Sequence, residues 1–170
     1  MLTHILKKAI KLKTILLNCK EATEEKILVS LFDTISIVPS KKYYKLVLSE
    51  KGKFGLKEIK ENESTKKVSK IINKKMIKGK KIQVNLMDGR NILSDVKGKV
   101  NDSIIFSFKE NKIEKIIPLE EGANALVFAG KHSGEIGIVN KIIGEKRMVE
   151  MNMDGKPTKV LIKQLIVIEK

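Results

Sequence analysis

Tryptophan is absent from this 170-residue chain, aromatic side chains make up 4% of it, and cysteine occurs once, at Cys19. With so few rings the core has to be built from Ile, Leu and Val, which favours β-structure. A single cysteine cannot form an internal disulfide. With only two histidines, His4 and His132, it also gives no ligand spacing for zinc. No apolar run approaches the ~20 residues of a membrane-spanning helix, and no leader with an apolar stretch and cleavage site opens the chain. These absences point to a soluble intracellular protein.

Enzymatic signatures are missing too. Around Gly130 the order G-K-H-S-G-E-I-G-I-V runs into a strand, so no helix N-terminus is available to hold a nucleotide's phosphates. Asp88 and Asp154 sit in turn dipeptides, Glu120 and Glu121 in a polar loop, and Ser133 lacks a nucleophile-elbow context. No set of residues has the pairing that an active site requires, and no cofactor or small-molecule substrate is implied.

What the chain has is positive charge. Thirty-five basic against 20 acidic residues give a net +15. The excess is zoned: +5 over residues 1–20, −3 over 21–40, +11 over 41–81, −1 over 82–139 and +3 over 140–170. Charge serving solubility alone mixes its signs more evenly, whereas a zoned excess suits a polyanion, above all nucleic acid.

At the start, Thr3 can cap a helix in which Leu2, Ile5, Leu6, Ala9 and Ile10 share one face and Lys7, Lys8 and Lys11 the other. Most of the remaining chain reads as short strands. Thr14–Leu17 and Thr34–Val38 come first, and Tyr43–Leu48 and Phe54–Ile59 flank a glycine-containing loop. Lys81–Leu86 places Ile82, Val84 and Leu86 on one face and Gln83 and Asn85 on the other, then meets the Asp88-Gly89 turn. Ile104–Phe108 and Ile113–Ile117 form the next pair. Val149–Met153 and Lys159–Ile162 bracket the Asp154-Gly155 turn, and Leu165–Ile168 closes the chain. Residues 60–68 (KENESTKKV) read as a helical turn or linker, and PLEEG at 118–122 as a boundary.

The aromatics, Tyr43 and Tyr44 among them, do not form a stacking ribbon. Backbone and shape recognition of structured RNA is therefore the better physical reading.

The run LVFAGKHSGEIGIV (Leu126–Val139) resembles a KOW motif. Together with LFDTISI (Leu31–Ile37), VNLMDGRNIL (Val84–Leu93) and IIPLEEGANALVFAGKHSGEIGIV (Ile116–Val139), in this order, it resembles the archaeal and eukaryotic family of e-type small-subunit ribosomal protein four, the archaeal form above all. The resemblance implies a mainly β chain of three modules. These are a partial ribosomal-protein-four-like RNA-binding module with a helix and short strands over 1–40, a central β-domain over 41–118, and a C-terminal SH3-like KOW barrel over 119–170.

ILLNCK (Ile15–Lys20) takes the place of a family V-L-V-D-G-K turn, and Gly130, Lys131, His132, Gly134 and Gly137 match the KOW turn. Two departures stand out. The chain begins at what is the second helix of the family's first module, shortening the N-terminus, and Lys13 stands where the family tends to have glycine.

The expected role is a non-enzymatic constituent of the small ribosomal subunit, cytoplasmic on the ribosome. Its partners would be small-subunit rRNA and neighbouring ribosomal proteins, with no membrane. The RNA-contacting residues expected are Lys7, Lys8, Lys11, Lys20, Lys41, Lys42, Tyr43, Tyr44, Lys74, Lys75, Lys80, Lys81, Arg90, Lys131 and His132, within a basic zone from Lys41 to Lys81. Structural turns are expected at Asp88, Gly89, Gly130, Gly134, Gly137, Asp154 and Gly155. The alternative is a KOW-bearing transcription elongation factor or a free RNA-binding factor.

Overall fold

The computed structural model describes residues 2–79, 81–94, 97–144 and 147–169, with side chains from Ile5 onward. The side chains of Leu2 and Thr3 and all of Lys80 lie outside what is described; the helix already includes Leu2, so Thr3 is inside it and not at its cap as expected. The chain is mainly β, with fifteen described strands and one helix of length, α1 (Leu2–Lys11). It divides into two compact units. The first comprises Met1–Val47, Phe54–Lys67 and Phe106–Lys112, and the second Leu48–Lys53, Val68–Ile105 and Ile113–Lys170.

In the first unit, α1 ends where Thr14 Oγ1 donates to the Ala9 carbonyl at 2.9 Å. Lys13 there takes a left-handed φ of 55°, a conformation glycine adopts without steric penalty. The apolar stripe of α1 is not a core face along its length. Ile5 is 61% and Leu6 39% exposed, and only Ala9 and Ile10 are half-buried. A five-stranded sheet comes next in the order β2-β1-β3-β4-β5, formed by β1 (Ile15–Leu17), β2 (Lys20–Glu21), β3 (Thr34–Ile37), β4 (Lys42–Leu48) and β5 (Phe54–Ile59). Ile15 and Leu17 pair with Ile37 and Ile35, which puts four aliphatics on one face. The opposite face of β3, Thr34 and Ser36, is buried and polar.

Residues 60–68 divide between the short helix α2 (Glu61–Ser64) and the beginning of β6 (Lys66–Met76), an 11-residue strand that the lysine-rich sequence hides. β6 lies at the centre of a second sheet, β10-β9-β6-β7-β8, with β7 (Ile82–Leu86), β8 (Asn91–Leu93), β9 (Ser103–Ser107) and β10 (Lys112–Ile117). Its register against β7 shifts at a bulge between Ile71 and Asn73.

The third sheet, in the second unit, runs β14-β13-β12-β11-β15 through β11 (Asn124–Val127), β12 (Ile136–Ile143), β13 (Met148–Met153), β14 (Lys156–Leu161) and β15 (Leu165–Val167). Period-two alternation fills its interior with Ala125, Val127, Val139, Val149, Met151, Met153, Val160 and Leu165. Each fully buried aliphatic of this kind contributes roughly 1.5–3 kcal/mol.

Candidate nucleic-acid interface

Not every lysine of the basic zone faces outward. Lys67 is buried in the first unit. Its Nζ stands 2.6 Å from Asp33 Oδ1 and 2.8 Å from Ser30 Oγ. Asp33 also accepts from Asn18 Nδ2 at 2.8 Å and the Ser30 backbone N–H at 2.6 Å. Burial pushes this carboxyl up, but the hydrogen bonds from Lys67, Ser30 and Asn18 outweigh it and hold the group below the usual carboxylate value. Asn18 Oδ1 in turn accepts the Thr34 N–H at 3.0 Å, and Thr34 Oγ1 donates to the Ser64 carbonyl at 2.8 Å. The LFDTISI motif is thus a polar core element. Cys19 lies beside it, and burial raises its thiol pKa, which makes it a poor nucleophile.

Lys70 is buried in the second unit. Its Nζ donates to the carbonyls of Ile162 at 2.5 Å and Leu165 at 2.9 Å, and burial lowers its pKa to about 8. Lys67 and Lys70 leave the phosphate-facing zone and join the interior. Sequence reasoning missed both, because a lysine's neighbours along the chain do not show which residues fold over it.

Of the expected contact residues in the first unit, Lys7, Lys8, Lys11, Lys20, Lys41 and Lys42 are exposed. Lys7 is 3.5 Å from Glu25. Lys42 pairs with Ile37 at the start of β4, and Tyr43 and Tyr44 come next, opposite Ser36 and Ile35. Both tyrosines are half-buried, and burial together with the Glu61 carboxylate raises the Tyr43 hydroxyl pKa.

In the second unit Lys75, Lys81 and Lys131 are exposed. Lys74 turns to the Gly98 carbonyl at 2.7 Å. Arg90 Nε lies 3.6 Å from Asp88 Oδ2 within the β7–β8 turn. His132 is half-buried, with Nδ1 3.1 Å from Glu135 Oε1. The expected residues therefore fall into two sets, one in each unit.

The glycine-rich loop at 130–134 is built by close approach. Gly134 has a φ of +97°, and a Cβ there would stand 1.9 Å from the Ser49 carbonyl oxygen, so the loop lies against the tip of the 49–53 turn. Gly137 sits in β12, where a Cβ would meet Asn152 O and Met153 Cγ, each at 2.6 Å. Lys131 lies exposed in this loop.

Residues 40–113, the stretch carrying β4 to β9 and the start of β10, match the ribosomal family S4e. The small ribosomal subunit protein eS4 of Nanoarchaeum equitans is 36% identical over 129 residues, which span 76% of this chain and 55% of that protein. The protein of the same name from Methanocaldococcus jannaschii is 34% identical over 177 residues, covering 95% of this chain and 71% of that one. This chain belongs to the ribosomal S4e family.

The fold agrees. The crystal structure of 30S ribosomal protein S4e from Thermoplasma acidophilum superposes with a TM-score of 0.82 at 24% identity, over 95% of this chain and 83% of that one. The chain spans about half the length of several S4e relatives, 55% of the Nanoarchaeum equitans protein and 47% of that from Methanosphaera stadtmanae.

Proposed function

We propose that this S4e-family chain is a non-enzymatic structural constituent of the small ribosomal subunit, held on small-subunit rRNA by its outward-facing lysines and supporting translation in the cytoplasm. Membership of the family is the observation that carries this reading, and the zoned +15 charge agrees with it. Each lysine near a phosphate releases condensed counterions. Several together give firm, salt-sensitive binding without base readout.

Within this reading the modules are 1–40, 41–118 and 119–170, the last a KOW barrel, with β4 and β5 carrying the first module's sheet across the 40/41 boundary, and neighbouring ribosomal proteins flank the chain. Lys7, Lys8, Lys11, Lys20, Lys41, Lys42, Lys75, Lys81 and Lys131 are the contacts the exposure pattern favours, whereas Lys67 and Lys70 take no part because they are buried. Filter binding of the full chain to small-subunit rRNA across a salt series tests it. The expected result is a log–log line of negative slope with rRNA preferred over heparin. Equal affinity for the two polyanions would contradict it.

A further inference from the structure

The outer face of β6, β7 and β8 is unusual for a solvated sheet. Register places Asn73 opposite Asn85, and Asn85 opposite Asn91, so three asparagines form one row across three strands. The neighbouring row is Lys75, Gln83 and Leu93. All six positions are exposed or half-exposed, and none carries a carboxylate. Asparagine is depleted from strands because its short amide competes for backbone hydrogen bonds. Solubility alone would be served by mixed charges. Three adjacent amides and a fourth beside them thus make a face suited to a partner that both donates and accepts hydrogen bonds.

The hydrogen bonds already formed leave a defined outward set. Asn73 Oδ1 accepts the Lys74 N–H at 2.8 Å, leaving Nδ2 as a donor. Asn85 Nδ2 donates to Asn91 Oδ1, a bond that uses neither the Asn85 oxygen nor the Asn91 amide hydrogens. Gln83, half-exposed in the neighbouring row, adds a fourth amide. Donors and acceptors thus alternate over one sheet face, ~4.8 Å apart between strands and ~7 Å apart along them, with the bulge between Ile71 and Asn73 at its β6 edge. Lys75 is the sole charge at these six positions, and it is positive.

A ribose 2′-hydroxyl is at once donor and acceptor. In A-form RNA these hydroxyls line a wide, shallow groove that a flat surface can meet. A phosphate oxygen only accepts and would use an amide's N–H alone, whereas a 2′-hydroxyl can engage both its N–H and its oxygen. We propose that the Asn73–Asn85–Asn91 row, with Gln83 and Lys75, is an RNA-contacting surface that reads ribose 2′-hydroxyls across a shallow groove. The inference rests on the RNA-binding function proposed above and assigns it a site that distinguishes RNA from DNA.

The test is 2′-hydroxyl acylation footprinting of an archaeal small-subunit rRNA transcript with the full chain, alongside affinity for that transcript and for a short DNA duplex. The wild-type protein is expected to protect a contiguous set of riboses. Asn85→Thr/Asn91→Thr, which suits an exposed strand face, is expected to lose part of that protection and bind the rRNA about tenfold more weakly. Its salt slope and DNA affinity stay unchanged, the latter reporting an intact fold. Unaltered protection and affinity in the double variant, while Lys75→Ala lowers the salt slope, would overturn this inference and leave the proposed function standing. No rRNA protection by the wild-type chain would overturn both.

Discussion

Lys67 Nζ stands 2.6 Å from Asp33 Oδ1, with the lysine side chain 2% and the aspartate side chain 6% exposed. The pair joins β6 to the loop before β3, and Ser30 and Asn18 occupy the remaining positions around the carboxylate. Breaking a buried ion pair from one side leaves an uncompensated charge. Lys67→Met is therefore expected to lower unfolding stability by about 3 kcal/mol or more, read as a shifted urea midpoint. Adding Asp33→Asn should recover part of that loss, since it removes the orphaned charge.

Lys70 gives a pH signature. Its folded pKa of about 8 lies below the unfolded lysine value of about 10.4. Between these values the unfolded chain holds a proton that the folded chain has released. This group's contribution to stability therefore rises with pH from about 8 to about 10, and it has no slope further below 8, where both states are charged. Urea unfolding in this window should show the rise in the wild-type protein and a correspondingly smaller one in Lys70→Met. Equal slopes in the two proteins would refute the assignment.

The strands whose apolar residues alternate were legible in the sequence. Ile82, Val84 and Leu86 mark β7, and Val149, Met151 and Met153 mark β13, the latter closed by Asp154-Gly155. β6 was not legible. KKVSKIINKKM carries lysines on both faces, and the bulge between Ile71 and Asn73 breaks its period. The side-chain partner of Lys67 lies 34 residues away, so nothing local distinguishes it from the exposed Lys66. The candidate interface was legible as a basic zone. Its internal sorting was not, because Arg90 engages Asp88 and Lys74 engages the Gly98 carbonyl only once the chain is folded.

Gly134→Ala tests the loop's close approach. The added methyl would meet a backbone oxygen at a left-handed φ, combining conformational strain with overpacking, and the expected loss is about 2–4 kcal/mol. Thermal unfolding checks it. Gly155→Ala is the control, because a Cβ there meets nothing within 4 Å although its φ is also positive, so its loss should be smaller.

Exposed and buried lysines should separate in RNA binding. Lys41→Ala/Lys42→Ala removes two outward charges at the head of β4. The double variant is expected to reduce the slope of log affinity against log salt by about two while leaving stability within about 0.5 kcal/mol. Lys67→Met should instead change stability and, under conditions where it is folded, leave the slope intact.

Sucrose-gradient sedimentation of cell lysate in low and high salt decides whether this S4e-family chain resides in the small ribosomal subunit, as proposed. The expected result is stoichiometric co-migration with small subunits that survives moderate salt. A chain that stays at the top of the gradient in both salts would contradict it.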